Sequence, residues 1–210
     1  MPLTHRFPHR LLQLELGLAC YGVSISLMLK ARLGNQPWDV FHQGVARHTG
    51  LSVGTVLIIT GAAVLLCWIP LRQRPGIGTI SNIVVIGLVV DQVNRLLPQP
   101  SHLALRGLFM VAGIVLCGVA SGLYIGANLG PGPRDGLMTG LAKRRWSLRG
   151  WRTLIEITVV VLGGLLGGRV GIGTIAYALS IGPLAQLFLP WFTVRPRPAS
   201  PIRDLATAET

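Results

Sequence analysis

The sequence predicts an all-α fold: a polytopic membrane bundle of six transmembrane helices, arranged as an inverted 3+3 repeat with two short broken or re-entrant helices. Half of the 210 residues are hydrophobic and only 12% are charged. The mean hydropathy of +0.58 is above that of most soluble domains of this size. A third observation, an internal repeat, indicates how the helices are arranged.

Six apolar runs are long enough to cross a hydrocarbon core about 30 Å thick, which takes roughly 20 residues per helix. They lie at about residues 11–30, 52–70, 79–97, 105–126, 152–168 and 173–193. The first run follows Arg6 and Arg10, as the apolar part of a signal peptide would. Gln13 and Glu15 inside that run argue against cleavage, so we interpret it as a mature span.

The distribution of Lys and Arg between alternate loops predicts the orientation, because cytoplasmic loops carry the excess. Of the 19 Lys and Arg residues, six fall on the predicted outer side and the other 13 on the inner side. The outer six are Lys30, Arg32, Arg47, Arg95, Arg106 and Arg169. Both termini are then cytoplasmic, with one membrane domain over residues 1–193 and a disordered tail over residues 194–210.

Two sequence motifs each occur twice. Leu33-Gly34-x-x-Pro37-x-Asp39 returns 96 residues later as Leu129-Gly130-x-x-Pro133-x-Asp135. Gly76-Ile77-Gly78-Thr79-Ile80 returns whole as Gly171-Ile172-Gly173-Thr174-Ile175. The chain therefore contains two copies of one unit, at about residues 11–97 and 105–193. Each copy holds three spans, an odd number, so the second copy enters the membrane from the opposite side.

The first motif predicts a short helix in each copy. Gly and Pro end the preceding helix, Pro37 and Pro133 suit the first turn of a new one, and Asp39 and Asp135 suit its positive N-terminal end. Helices over about 37–48 and 133–145 would be roughly 18 Å long, half a bilayer. Either they re-enter the membrane with the Pro and Asp ends deep, or they lie on its surface with the aspartates as N-caps. The duplication of Gly, Pro and Asp together favours re-entry.

Carboxylates within spans are candidates for a substrate pathway, because burying one at mid-bilayer costs at least about 2.5–3.5 kcal/mol. Glu15 and Glu156 are of this kind, although Glu156 also has the spacing for an ion pair with Arg152. With the repeated motif they make up the candidate pathway, which comprises Asp39, Asp135, Pro37, Pro133, Trp38, Glu15 and Glu156.

Small residues are assigned structural roles. Gly118, Gly122 and Gly126 recur every four residues and predict close helix packing. The repeated Gly-Ile-Gly-Thr segments predict tight turns between spans, in which Thr79 and Thr174 can cap the following helix. The predicted turn residues are Gly76, Gly78, Thr79, Gly171, Gly173 and Thr174.

These motifs resemble those of the bacterial YczE/YyaS/YitT membrane proteins, and most of all the YczE branch, over about residues 11–193. The resemblance rests on Leu-Gly-x-x-Pro-x-Asp before a short helix and on the paired Gly-Ile-Gly-Thr turns. It implies a multi-pass inner-membrane protein of bacteria and implies no biochemical activity. Trp38 in the first copy corresponds to Arg134 in the second, so Trp38 has no aromatic counterpart and its role stays open.

The function class follows from what the motifs provide. The sequence has no HExxH, no Gly-x-Ser-Gly with a later His and no CxxC, so we expect neither an enzyme nor a bound metal or cofactor. Inverted duplication and broken helices favour a transporter or channel for a small solute or ion. The alternative is a non-transporting scaffold that supports a partner protein. The expected partners are the lipid bilayer and a second copy in a homodimer, but not nucleic acid.

Overall fold

The computed structural model describes residues 7–143 and 147–193, and these residues form helices joined by loops, with no strand. The predicted all-α fold is therefore confirmed for this part of the chain. The helices are α1 (Phe7–Ala31), α2 (Pro37–Thr49), α3 (Val53–Leu66), α4 (Trp68–Leu71), α5 (Ile77–Leu96), α6 (Leu103–Gly126), α7 (Pro133–Ala142), α8 (Leu148–Leu165) and α9 (Ile172–Phe192).

Five segments within the described residues are long and apolar enough to cross a membrane. They are Phe7–Ala31, Val53–Leu71, Ile77–Leu96, Leu103–Gly126 and Ile172–Phe192. The sixth predicted run falls in α8, which has 18 residues but carries Arg149, Arg152 and Glu156 in its N-terminal half. The predicted run at 52–70 is not one straight helix, because α3 ends before Cys67 and the four-residue α4 continues it.

The outward faces of the long helices are apolar, as a lipid-facing surface requires. The side chains of Leu88, Leu108 and Leu179 are 60%, 61% and 73% exposed. On a soluble protein, contiguous exposure of this kind would be an aggregation risk. It indicates a multi-pass membrane protein, whose buried core lies between α1, α5 and α6.

The first helices of the two copies, α1 and α6, run antiparallel in close contact. The Arg10 Nε atom donates a hydrogen bond to the Ala127 carbonyl at 2.8 Å. Further along α1, the Ser24 hydroxyl donates to the Gly113 carbonyl at 2.9 Å. Residue numbers rise on one helix as they fall on the other, so α1 and α6 point in opposite directions.

Each of these central helices has one long helix of its own copy packed along it in the same direction: α5 along α1 and α9 along α6. Contacting residues are Gly22 with Ile86, Ser26 with Val90, Gly118 with Leu184, and Gly126 with Phe192. We call the end of the bundle at which α1 and α5 end the upper end, and the opposite one the lower end.

The short helices and the turns cross from one copy to the other. Helix α2 packs on α8, and α7 packs on α3 and α4. The turn of each copy contacts the loop of the other: Gly173 N donates to the Leu33 carbonyl at 2.8 Å, and Gly78 N donates to the Leu129 carbonyl at 3.0 Å. The two copies therefore hold each other through matching contacts.

The loops that precede α2 and α7 also share one backbone conformation. Arg32 has a φ of 54° and its counterpart Asn128 a φ of 52°. Gly34 and Gly130 have φ values of 120° and 128°, a region that only glycine adopts readily. The repeated glycine is therefore required by the shape of the loop.

Candidate functional site

The two repeated motifs start the short helices at the predicted positions, with Pro37 and Pro133 in the first turn. The N-cap residues are Gln36 and Gly132, and neither aspartate occupies that position. Asp39 and Asp135 lie in the first turn, where a carboxylate interacts favourably with the positive end of the helix dipole. The hypothesis that the aspartates are N-caps is therefore wrong in its geometry.

The two motifs touch each other through counterpart residues. The guanidinium carbon of Arg134 lies 4.9 Å from the centroid of the Trp38 ring, within the range of a cation–π interaction. The same side chain brings Nη2 to 3.9 Å from Asp39 Oδ1. Positions 38 and 134 are equivalent in the repeat. Trp38, whose counterpart is not aromatic, therefore packs on that counterpart, Arg134.

The first motif holds a buried carboxylate. Asp39 is 1% exposed, and its Oδ1 lies 3.1 Å from Nδ1 of the equally buried His42. Its other oxygen, Oδ2, has no hydrogen-bond partner among the described residues, and neither do Asn35 Oδ1, Gln36 Nε2 or Trp38 Nε1. Buried polar atoms left unpaired are costly and usually mark bound water, an ion or a solute.

The second motif holds an accessible carboxylate. Asp135 is exposed, and its Oδ2 accepts a hydrogen bond of 2.7 Å from the Tyr124 hydroxyl. Asp135 also lines two cavities. The two aspartates of the repeat are therefore chemically different groups.

Two cavities of about 70 Å³ each lie on either side of the contact between the motifs. That volume suffices for a few water molecules or a small solute. Both cavities are lined by Tyr21, Trp38, Arg134 and Asp135. The first extends toward Leu57 and Thr60 of α3 and Asn82 and Ile86 of α5, and His42 of α2 also lines it. The second extends toward Arg152 and Glu156 of α8 and Tyr177 of α9, and Gln36 and Pro37 at the start of α2 also line it.

The remaining candidate residues fall into different places. Glu156 lines the second cavity and forms the ion pair that its spacing allows, with Oε1 2.9 Å from Arg152 Nε. Pro133 lines the first cavity. Glu15 is half-buried on α1 and lines neither cavity. Asp39 also lines neither, since it lies behind His42 and Arg134.

The small residues of the sequence prediction lie at helix contacts and turns outside the cavities. A Cβ atom on Gly122 would lie 3.0 Å from Phe192 Cδ2, and Gly118 and Gly126 face the same helix, α9. In the turns, the Thr79 hydroxyl accepts a 3.1 Å hydrogen bond from Gly76 N. In the equivalent turn, the Thr174 hydroxyl accepts a 3.3 Å hydrogen bond from Gly171 N.

Sequence reasoning missed four side chains of the site, and one of them, Arg134, was noted only as the counterpart of Trp38. His42 lies one turn after Asp39, and this i,i+3 spacing on one helix face was the available signal. Tyr21 and Tyr124, whose rings are 6.1 Å apart, carry no motif and could not be found from one sequence. Among residues 7–143 and 147–193, no group of three His, Cys, Asp or Glu side chains is placed to hold a metal ion.

Residues 8–190 match the family described as "Family of unknown function (DUF6198)". The chain belongs to this family. Its relatives include a protein of Haemophilus influenzae named "Uncharacterized protein", 42% identical over 173 residues, which are 82% of this chain and 79% of the relative.

Two relatives come from Bacillus subtilis. "Uncharacterized membrane protein YczE" is 36% identical over 175 residues, 82% of this chain and 81% of the relative. "Uncharacterized protein YyaS" is 27% identical over 183 residues, 83% of this chain and 90% of the relative. The resemblance to the YczE branch is thereby confirmed. No solved structure matches the chain.

Proposed function

We propose that the protein is a transporter or channel of the bacterial cell membrane that carries a small polar solute or ion through the centre of its bundle. One observation carries this proposal. Side chains from both copies of the repeated motif line the two cavities, and two of the lining residues, Gln36 and Trp38, carry buried nitrogen atoms, Nε2 and Nε1, that find no partner among the described residues.

The proposal includes an inverted repeat of six spans, with α8 as the sixth. Its Arg152 and Glu156 form an ion pair that lowers the cost of carrying both into the membrane. The antiparallel α1 and α6, and the contacts that each copy makes on the other, support a two-fold relation between the copies. The proposal has both termini in the cytoplasm, which the excess of basic residues in alternate loops favours.

The proposal also has α2 and α7 re-enter the membrane. A helix lying on the surface exposes its polar face, yet Asp39 and His42 are each 1% exposed. The last residues of α2, including Arg47 and His48, are exposed. This gradient supports an α2 whose N-terminal end is deep and whose C-terminal end reaches water.

Within the cavities the roles are divided. Asp135, Arg134 and Trp38 face the space and would contact a solute. Asp39 would position Arg134 and His42 from behind. With His42 neutral, the two carboxylates and one guanidinium leave the centre with a net charge of about −1, which favours a cation, a proton or a neutral polar solute over an anion.

Flux through the purified protein in proteoliposomes tests the proposal. Protons would be followed with a trapped pH-sensitive dye, and alkali cations and small polar solutes with radiolabel. We expect one of these to cross faster than in empty liposomes. Asp135→Asn should abolish that flux while leaving the thermal unfolding temperature unchanged, because the amide keeps the acceptor for Tyr124 and removes only the charge. Asp135→Glu, which keeps the charge, should retain part of the flux.

The alternative, a membrane scaffold, predicts a different outcome. No member of the panel would then cross faster than in empty liposomes. A flux that Asp135→Asn leaves untouched would also contradict the proposal, since it would place the pathway away from the two cavities.

A further inference from the structure

A third cavity lies at the upper end of the bundle, apart from the two central ones. Its volume is about 360 Å³, and it is open to the outside. Five basic side chains line it, contributed by the ends of α1, α2 and α5 and by two loops: Lys30, Arg32, Arg47, Arg95 and Arg169. We call these five residues and the space between them the basic vestibule. They are dispersed over 140 residues of sequence and meet only in the fold.

The positive charge of the basic vestibule is not balanced by its surroundings. Its one acidic lining residue, Asp91, accepts hydrogen bonds from Gly54 N at 2.8 Å and from the Ser52 hydroxyl, and so is engaged at the start of α3. In the part of the chain that the structure describes, none of the five basic side chains lies in an ion pair.

A sixth basic residue, Arg106, lies next to the basic vestibule and contacts the backbone at the end of α1. It donates hydrogen bonds from Nε to the Ala31 carbonyl at 2.8 Å and from Nη2 to the Arg32 carbonyl at 2.9 Å. Partial burial, together with the positive charges of Arg32, Arg47 and Arg106, lowers the pKa of Arg169. The basic groups therefore lie close enough to repel one another.

Duplication explains only two of the five basic residues, since Arg47 and Arg169 have the basic counterparts Lys143 and Arg74. The counterparts of Lys30, Arg32, Asp91 and Arg95 in the second copy are Gly126, Asn128, Gln186 and Pro190, all uncharged. Three of the five basic side chains thus have no basic counterpart in the other copy. Like charges held together without an acidic partner destabilise the folded state, and an anion bound between them would reverse that cost.

We propose that the basic vestibule binds an anion that carries a phosphate group. Four of the five side chains are arginines, whose planar guanidinium groups bind phosphate oxygens through paired hydrogen bonds. The space is large enough for a phosphate with an attached group, and its position at the end of the helices suits either a phosphorylated solute or the headgroup of an anionic phospholipid. This inference is independent of the proposed transport.

Binding would be tested on the whole protein in nanodiscs of phosphatidylcholine. Thermal unfolding is followed during titration with inorganic phosphate, with chloride at equal ionic strength as the reference, since a ligand of the folded state raises the unfolding temperature. A second arm replaces a third of the lipid by phosphatidylglycerol and counts retained lipids by native mass spectrometry. Phosphate stabilisation alone indicates a free anion, and retained phosphatidylglycerol indicates a headgroup.

The variant removes two charges from the basic vestibule, Arg32→Asn with Arg169→Gln. Asn suits the left-handed backbone of position 32, as Asn128 does in the other copy. The matched control is Arg72→Asn with Arg74→Gln. Arg72 has a φ of 52°, and Arg74 is the repeat counterpart of Arg169, so the control changes the same residue types and the same net charge at the lower end.

We expect the apparent affinity for phosphate, or the number of retained phosphatidylglycerol molecules, to be at least tenfold lower in the vestibule variant than in the wild type. In the control variant the same quantity should fall less than twofold. Equal losses in both variants would show a general effect of net charge and overturn the proposal. So would a wild type that responds to neither phosphate nor phosphatidylglycerol.

Discussion

The starts of α2 and α7 have the same backbone conformation, but their aspartates lie in different surroundings. Each follows a loop with one left-handed residue and one glycine at a φ near 120°, and each begins with proline. Yet Asp39 is buried beside His42, whereas Asp135 is exposed beside Tyr124. The two motifs therefore share a backbone conformation, while the side chains at their centre differ in burial and in hydrogen-bond partners.

The largest effect is expected where the shared frame is broken. Gly34→Ala and Gly130→Ala each force a non-glycine residue to a φ of 120° or 128°. That strain costs roughly 1–3 kcal/mol. A new Cβ at Gly34 would also lie 2.8 Å from Gly171 N, and one at Gly130 would lie 3.1 Å from Gly76 Cα. We expect both variants to unfold at much lower temperature in detergent, Gly34→Ala more so.

A decrease in unfolding temperature in both variants would support the same loop structure in the two copies. A Gly34→Ala protein as stable as the wild type would show that this loop tolerates a Cβ, and the equivalence of the two loops would then carry no energetic meaning.

The next effect concerns helix packing in the second copy. Gly122→Leu would push α9 away from α6, because a Cβ there meets Phe188 and Phe192 at 3.0–3.1 Å. Overpacking of this kind costs about 1–3 kcal/mol. The matched control is Gly107→Leu on the same helix, where a Cβ meets nothing within 4 Å. Thermal unfolding should be lowered by the first substitution only, and equal behaviour of the two would place Gly122 toward lipid.

A smaller effect separates the two aspartates. Asp39→Asn places an uncharged amide in a buried site beside His42 and Arg134, which should cost about 1–2 kcal/mol of folding free energy. Asp135→Asn changes an exposed group and should cost less than about 0.5 kcal/mol. Equilibrium unfolding of both variants measures the difference. If both substitutions lower the free energy of unfolding equally, the different burial of the two aspartates has no effect on stability.

The smallest effect is the coupling between Trp38 and Arg134. A double-mutant cycle with Trp38→Leu and Arg134→Gln should give a coupling of about 0.5–1 kcal/mol, the usual value of a cation–π pair that is partly exposed. Additive costs, within about 0.3 kcal/mol, would mean that the two copies do not support each other at this contact.

Much of the frame could be predicted from the sequence, since apolar runs, Pro at helix starts and repeated glycines are local signals. The starts of α2 and α7 were predicted at the residues where the structure has them. The predicted end of α7 at residue 145 was wrong, because the helix ends at Ala142 with Lys143 as its C-cap. The break at Cys67 was missed because the run around it is uniformly apolar.

The centre of the site was harder to predict, because its contacts join residues far apart in the chain. Trp38 and Arg134 are 96 positions apart, and only the fold shows that counterparts touch. The buried Asp39 contacts His42 and Arg134, whereas the exposed Asp135 contacts Tyr124. A motif that reads the same in both copies carries no information on that difference.

The central claim is that the two copies insert in opposite directions, and labelling of single cysteines tests it most directly. After replacement of Cys20, Cys67 and Cys117, Thr49→Cys and Lys143→Cys place a thiol at the exposed end of α2 and of α7. A membrane-impermeant maleimide applied to intact cells should label Thr49→Cys at once and Lys143→Cys only after the membrane is opened. Labelling of both positions from the same side would contradict the inverted repeat.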